Sequence, residues 1–167
     1  MALTAPQFVI DRARRIKIIL FDVDGVLTDG TIWLVPGRPS EVTLNHVQSQ
    51  EKIGFGVNSA TMTEAKGYSA HDGTAISLAR LGGLKCGVIT KRISETVATR
   101  ARDLKLEFVY QGCAFKMQAI REIIAKEGVT LDEICYVGDD VIDLPAMREV
   151  GFAVAVANAR ERVKAEA

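Results

Sequence analysis

Five short apolar runs, separated by segments of helical periodicity, constrain the fold of this chain more than any other feature. The runs are rich in Ile and Val, and at least three show little polar alternation, which is typical of strands covered on both faces of a parallel sheet. They span residues 16–21, 85–89, 107–110, 134–137 and 152–156. Apolar residues at helical spacing predict helices over 74–81, 94–104, 115–126 and 143–150. Strands that alternate with helices predict an α/β fold with a doubly wound, Rossmann-like parallel sheet.

Residues 31–70 interrupt this alternation after the first predicted strand. The pattern predicts a strand over 31–35, a turn over 36–39, a second strand over 41–47, an aperiodic stretch over 48–64 and a further strand over 65–70. We interpret the stretch as a small β-hairpin flap with a looser loop, too short to fold as an independent unit. The sequence therefore predicts a single domain over residues 1–167 that carries this flap.

Charge and cysteine content exclude several classes of function. The 21 basic and 21 acidic residues balance, so no excess charge favours nucleic acid or a membrane as a partner. The three cysteines are widely spaced, which predicts free buried thiols and not a disulfide framework or a zinc site. Because the N-terminus lacks the pattern of a signal peptide and no apolar run could cross a bilayer, we expect a cytoplasmic protein.

The first chemically informative segment, DVDGVLTDG over residues 22–30, directly follows the first predicted strand. Two carboxylates leaving an apolar strand need a positive partner, and Mg²⁺ would accept oxygen from Asp22 and from the main-chain carbonyl of Asp24. The Asp22 carboxylate is also a candidate nucleophile toward phosphorus, and the Asp24 side chain a candidate general acid and base. Gly25 would allow close approach of the phosphoryl group. An Asp-rich turn without chemistry is the alternative.

Two further segments carry single candidates for binding a phosphoryl group. Thr90 ends the second sheet strand, where its hydroxyl and the following amides would form an anion cradle, although helix capping alone also explains it. Lys116 lies just inside a predicted helix, where a cation is mildly unfavourable unless an anion neutralises it. A solvated lysine is the alternative there.

The last segment, GDDVID over residues 138–143, follows the fourth sheet strand. Three carboxylates so close together repel one another unless a cation lies among them. Asp139 is the candidate third protein ligand to Mg²⁺. Asp143 is a candidate to contact metal-bound water, or to hold Lys116, on the substrate side of the site.

The order of these segments, each after its own strand, resembles the haloacid dehalogenase superfamily of phosphatases. The resemblance runs from about residue 16 to 157 and implies a Mg²⁺-dependent phosphomonoesterase that forms an aspartyl-phosphate. It implies the nucleophile at Asp22, the acid and base at Asp24, phosphoryl binding by Thr90 and Lys116, and metal binding by Asp22, Asp24 and Asp139.

Several longer segments are similar to one minimal-cap subfamily, the 3-deoxy-D-manno-octulosonate 8-phosphate phosphatases, and the phosphatase-like region linked to sialic-acid cytidylyltransferases looks much the same. These segments are DVDGVLTDG, KGYSAHDG, VITKRISE, VYQGCAFK and YVGDDVIDLPAM. This similarity implies a sugar-acid phosphate substrate, a role in lipopolysaccharide biosynthesis, and a homotetramer in which one subunit's hairpin closes a neighbour's site.

This sequence departs from that subfamily in four places. Lys91 stands where glycine follows the threonine, which adds bulk and charge beside the bound phosphate, and His71 stands where arginine is usual. The flap has an extra stretch over about 36–64, and the given sequence stops at Ala167 without including the Gly-rich tail of the subfamily. These departures affect the expected substrate and leave the expected phosphoryl chemistry unchanged.

Three alternatives remain at this stage. One is a phosphatase of broad specificity for small phosphate esters. Another is a phospho-receiver domain, but there the phosphorylated aspartate ends a middle strand, where this chain has Thr90 and Tyr110. The last is a non-catalytic assembly module, which loss of Asp22 or Asp24 would have favoured.

Overall fold

A five-stranded parallel sheet forms the centre of the structure, a computed structural model that describes residues 5–37, 56 and 61–167. The strands are β1 (Ile18–Phe21), β2 (Trp33–Pro36), β3 (Met62–Ala65), β4 (Lys85–Ile89), β5 (Phe108–Tyr110), β6 (Ile134–Gly138) and β7 (Phe152–Ala155). The helices are α1 (Gln7–Ala13), α2 (Ala70–Leu81), α3 (Glu95–Asp103), α4 (Lys116–Glu127), α5 (Leu144–Met147) and α6 (Glu161–Lys164), with a 3₁₀ turn over Leu131–Glu133.

The order of the strands in the sheet is β5-β4-β1-β6-β7, with β1 at the centre. In the parallel register, Phe21 at the end of β1 lies opposite Val88 of β4 and Val137 of β6. The chain therefore builds outward on one side of β1 and then crosses to the other side. In such sheets the crevice at the carboxyl ends of the central strands is where ligands bind.

Helices cover both faces of the sheet. Successive side chains of β1 point to opposite faces, and each face has its own apolar core. Ile18 and Leu20 belong to a core that includes Ile120 and Ile123 of α4. On the other face, Ile76 of α2 and residues of α3 and β4 form a second core. The predicted doubly wound α/β fold is confirmed. The three cysteines are buried and free, as expected.

The flap is an antiparallel pair of β2 and β3, in which Trp33 lies opposite Ala65 and Pro36 opposite Met62. The predicted hairpin is present, but β3 comes from the stretch predicted to be aperiodic. The strand predicted over 65–70 is wrong, because residue 65 ends β3 and the Ser69 hydroxyl caps α2 by accepting the N–H groups of His71 and Asp72. The strand predicted over 41–47 and residues 38–39 of the predicted turn lie outside the described residues.

Helix α2 begins four residues before the predicted start, and the short helices α1 and α6 were not predicted.

Among the described residues, no helix combines the length and hydrophobicity needed to span a membrane.

Candidate active site

The carboxylates predicted from sequence converge where β1 and β6 end side by side. Asp22 immediately follows β1, and Asp139 and Asp143 follow β6. Each of the three offers a carboxylate oxygen, and these oxygens all lie within 4.8 Å of one another. Backbone hydrogen bonds hold the two loops together, since the Asp22 N–H donates to the carbonyl of Val137 over 3.0 Å.

Asp22 is held in one orientation by donors on both of its oxygens. It is 5% exposed. Its Oδ1 accepts the N–H of Val23 at 2.7 Å, and its Oδ2 lies 2.8 Å from Nζ of Lys116. Burial raises the pKa of Asp22 to about 6, and Lys116 opposes this rise while the Asp143 carboxylate adds to it. The carboxyl is thus fixed in position and lacks full charge compensation from the protein.

Lys116 begins α4 and is only 3% exposed, so the alternative of a solvated lysine does not apply. Its ammonium contacts Asp143 as well as Asp22. Burial alone would lower the pKa of Lys116, but attraction to these two carboxylates outweighs burial and the pKa is raised. Lys116 therefore keeps its positive charge beside the candidate nucleophile.

Asp143 has no exposed surface and uses both of its oxygens within the protein. Oδ1 contacts Lys116 and accepts the Tyr136 hydroxyl at 3.0 Å, while Oδ2 accepts the N–H groups of Asp139 and Asp140. This arrangement favours a role in holding Lys116 and the 139–140 loop over the predicted contact with substrate.

Asp139 supplies the observation that tests whether a divalent cation fits. Its Oδ1 is buried and has no hydrogen-bond partner among the described residues. Burial raises the pKa of Asp139 to about 6, with further contributions from Asp22 and Asp143. An unpartnered carboxylate oxygen beside a second carboxylate is the kind of hard donor set that Mg²⁺ accepts, so these residues fit the ion.

Gly25 keeps the space beside Asp139 open. Its φ is +95°, and a Cβ there would lie 2.1 Å from Oδ2 of Asp139. Any side chain at this position would therefore displace the candidate ligand as well as strain the backbone. Sequence analysis assigned Gly25 to phosphoryl approach, and the structure adds this steric reason for glycine.

Thr90 follows β4, the neighbour of β1, and is almost fully buried. Its hydroxyl accepts the N–H of Arg92 at 3.3 Å. Its backbone forms hydrogen bonds with Tyr110, the last residue of β5, and with Cys113. Lys91, next in the chain, is half-buried. Both residues lie at the carboxyl edge of the sheet, and their predicted contacts with substrate stay predictions.

The sequence analysis missed a group of charges around Asp24. Lys66 and Glu64, from the end of the flap, meet Asp24 together with Arg92 from the loop after β4. The sequence did contain one signal for this group. Glu64 and Lys66 are two residues apart, and alternate residues of an extended chain point to the same side.

Asn158, in the loop after β7, was also missed. Its side-chain amide donates to the carbonyl of Gly25 at 2.8 Å, while the N–H of Arg160 donates to the carbonyl of Asp139 at 2.9 Å. One loop thus contacts both segments that carry the candidate metal ligands. No short motif pointed to it.

Comparisons with known proteins agree with this geometry. A family model described as haloacid dehalogenase-like hydrolase matches residues 86–167. The 3-deoxy-D-manno-octulosonate 8-phosphate phosphatase KdsC of Escherichia coli (strain K12) is 32% identical over 151 residues, which cover 90% of this chain and 68% of that protein.

Two solved structures are similar over nearly the whole chain. The 3-deoxy-D-manno-octulosonate 8-phosphate phosphatase of Moraxella catarrhalis, in complex with magnesium ion, phosphate ion and a KDO molecule, superposes with a TM-score of 0.79 at 30% identity and covers 98% of this chain and 80% of that one. The phosphatase of the same name from Yersinia pestis gives a TM-score of 0.79 at 29% identity, covering 98% and 75%.

Proposed function

This chain belongs to the family of haloacid dehalogenase-like hydrolases, and from that premise we propose that it is a Mg²⁺-dependent phosphatase of a sugar-acid phosphate. The observation that carries the proposal is the placement of Asp22. Its carboxyl is fixed between a backbone N–H and Lys116, and an Asp139 oxygen without a hydrogen-bond partner in the described part of the chain lies nearby. A nucleophile, a cation for the phosphoryl group and a metal ligand therefore lie together at one sheet edge.

The first half of the reaction transfers the phosphoryl group to Asp22. An oxygen of the carboxylate attacks phosphorus, the bond from phosphorus to the ester oxygen breaks, and its electron pair leaves with that oxygen. Asp24 gives its proton to the departing oxygen, which leaves as an alcohol. Lys116 and Thr90 bind the non-bridging oxygens of the phosphoryl group.

The second half returns the group to water. Asp24, now a carboxylate, takes a proton from water as the water oxygen attacks phosphorus, and the bond between phosphorus and Asp22 breaks to release phosphate. Asp22, the main-chain carbonyl of Asp24, and Asp139 would hold Mg²⁺. When bound, the ion offsets the negative charge of the phosphoryl group and of the carboxylates.

The substrate class rests on the relatives. Their names specify 3-deoxy-D-manno-octulosonate 8-phosphate, and one related structure contains magnesium, phosphate and KDO. We infer the same substrate here. Two departures from the subfamily pattern support the alternative of broad specificity. Lys91 departs from it beside the expected position of the phosphate, and His71 departs from it at the start of α2.

Phosphate release from a panel of phosphorylated sugars and sugar acids tests the proposal, with Mg²⁺ and with EDTA. We expect 3-deoxy-D-manno-octulosonate 8-phosphate to give the highest kcat/KM and EDTA to abolish turnover. Asp22→Asn should lower kcat by at least about 10³-fold, because an amide is a poor nucleophile and a weak ligand. Asp29→Asn, an exposed carboxylate in the same segment, is the matched control and should retain activity. Near wild-type turnover by Asp22→Asn would refute the mechanism.

The assembly proposed for the chain rests on the flap and on the resemblance of the sequence to the subfamily. We infer a homo-oligomer because the flap, as far as the structure describes it, exposes apolar side chains. A tetramer is the assembly that the resemblance implies.

A further inference from the structure

Four charged side chains around Asp24 form a ring of alternating sign. Lys66 contacts Asp24 Oδ1 and lies 3.4 Å from Glu64 Oε1. Arg92 approaches the other oxygen of each carboxylate, with its Nη2 2.5 Å from Glu64 Oε2 and its Nε 3.9 Å from Asp24 Oδ2. Each carboxylate therefore faces both cations, and the four charges balance.

The two ring members from the flap are buried, and the other two are partly exposed. The Lys66 and Glu64 side chains are 0% and 7% exposed, whereas those of Asp24 and Arg92 are 21% and 27% exposed. Burying an ammonium group is costly, and apolar residues of similar volume often give equal or greater stability than a buried ion pair. Fold stability alone therefore gives a weak reason for a buried lysine in contact with Asp24.

Placement of the Asp24 carboxyl gives a stronger reason. A group that transfers a proton to a substrate must lie within hydrogen-bond reach of the receiving atom, and such placement depends on neighbours that fix its rotamer. Lys66 contacts one oxygen of Asp24 and leaves the carboxyl partly exposed. Without Lys66, Asp24 and Glu64 would share one guanidinium.

We propose that Lys66 is a positioning residue for proton transfer. The flap places its ammonium group beside Asp24, where it holds the carboxyl in position to reach the leaving-group oxygen of the substrate. The inference rests on the proposed phosphatase function and adds to it a role for the end of the flap that differs from covering the site. Lys66 acts through Asp24 and does not contact the reacting atoms.

The test compares two leaving groups. A p-nitrophenolate leaves without a proton, whereas the alkoxide of a sugar needs one, so loss of acid assistance affects the sugar ester selectively. The variants are Lys66→Met, which keeps the length and removes the charge, and Lys66→Gln, which keeps two donors for the ring. Lys17→Met removes a lysine paired with Glu133 at the opposite end of β1 and is the matched control. Circular dichroism checks that each variant is folded.

We expect Lys66→Met to lower kcat on the best sugar phosphate at least about tenfold more than kcat on p-nitrophenyl phosphate, within the usual range for general acid assistance. KM for p-nitrophenyl phosphate should change little. Lys66→Arg, which keeps the positive charge, should recover part of the selective loss on the sugar phosphate. Lys66→Gln should lose more activity on the sugar phosphate than on p-nitrophenyl phosphate, as Lys66→Met does. It replaces Lys66→Met in the test if that variant does not fold.

Two other results overturn different claims. Equal losses on both substrates, or no loss, would show that Lys66 is structural or dispensable and would overturn only its positioning role. A wild-type protein that releases no phosphate from either substrate with Mg²⁺ would overturn the proposed function, and this inference with it.

Discussion

Asp22 and Asp139 are both carboxyl groups whose pKa is raised by burial. Burial is the largest cause that raises the pKa of each to about 6, from 3.8, and neighbouring carboxylates add to it. Lys116 is the cation that opposes the rise at both residues. A divalent ion would reverse this balance, because it favours the ionised form of its ligands.

The pH dependence of magnesium stabilisation follows from these shifts. The folded, metal-free protein binds protons at Asp22 and Asp139 more tightly than the unfolded chain. Their contribution to stability is therefore full below pH 3.8 and is lost as pH rises through about 6. Mg²⁺ requires the ionised carboxylates, so we expect it to raise Tm more at about pH 7.5 than at about pH 5.5. Differential scanning fluorimetry measures the rise in Tm caused by Mg²⁺ at each pH. Asp139→Ala should show a smaller rise than the wild type at the higher pH. Increments independent of pH would contradict the metal assignment.

Asp24 differs from Asp22 because its predicted role is in proton transfer and its metal contact is through the main chain. Asp24→Asn keeps the carbonyl and removes the titratable group, so acid assistance is lost. We expect kcat on a sugar phosphate to fall about 10²–10⁴-fold, with a smaller loss on p-nitrophenyl phosphate. Steady-state kinetics with both substrates decide the point, and equal losses would argue against the acid role.

The sequence was sufficient for residues that form short motifs and insufficient for residues that act from a distance. Asp22, Asp24, Asp139 and Asp143 stand next to strand ends, where carboxylates have few structural explanations. Lys66 lies 42 positions from Asp24, and Asn158 lies 133 positions from Gly25. Contacts over such separations depend on the packing of the whole sheet edge, which local patterns do not specify.

At the scale of elements, the sheet strands were predictable because they are buried on both faces and read as continuous apolar runs. The flap was harder to locate. Strand β3 is half-buried and holds Thr63 and Glu64, so it lacks an apolar signature. Helix α2 begins early because the Ser69 hydroxyl satisfies its first N–H groups. Capping overrode the pattern of apolar residues there.

The loop between β7 and α6 is the element that joins the two candidate metal-binding segments. Asn158→Ala removes the donor to the Gly25 carbonyl, which immediately follows the Asp24 carbonyl predicted to bind Mg²⁺. We expect the variant to need about 10–100-fold more Mg²⁺ for half-maximal activity, as is typical when a support of a metal ligand is lost. Calorimetric titration of Mg²⁺ should show the same shift.

A control from the same loop separates this effect from general loosening. Arg160→Ala removes an exposed ion pair with Asp140 and keeps the backbone N–H that binds Asp139. Its magnesium requirement should stay close to that of the wild type. Equal shifts in both variants, or none in Asn158→Ala, would show that the Asn158 amide does not position the ligand carbonyl.

Across the whole molecule, one sheet edge receives a contribution from nearly every connection. The loops after β1 and β6 bring the acids, α4 brings Lys116, the loop after β4 brings Thr90 and Arg92, and the flap brings Lys66. Among the described residues, the flap forms a separate sheet of two strands. A sheet of only two strands is marginal in water, so we expect the flap that supplies Lys66 to need further support.

The exposed apolar side chains of the flap indicate where this support comes from. Trp33 is 59% exposed, and Leu34 and Val35 beside it are exposed too. Adjacent exposed apolar side chains on such a strand are typical of an interface, and most soluble oligomers are symmetric homo-oligomers. We therefore expect flaps of neighbouring copies to pack together at the mouth of the site.

Trp33→Asp tests this assembly, because a carboxylate cannot be buried without a partner at an apolar contact. We expect sedimentation velocity to show an oligomer for the wild type and smaller species for the variant. Activity on a sugar phosphate should fall more than activity on p-nitrophenyl phosphate, since a loosened flap misplaces Lys66. Leu81→Asp, at an exposed leucine that ends α2, is the matched control and should stay assembled. A monomeric wild type would refute the oligomer, and a Trp33→Asp protein that stays assembled would refute the role of the flap in it.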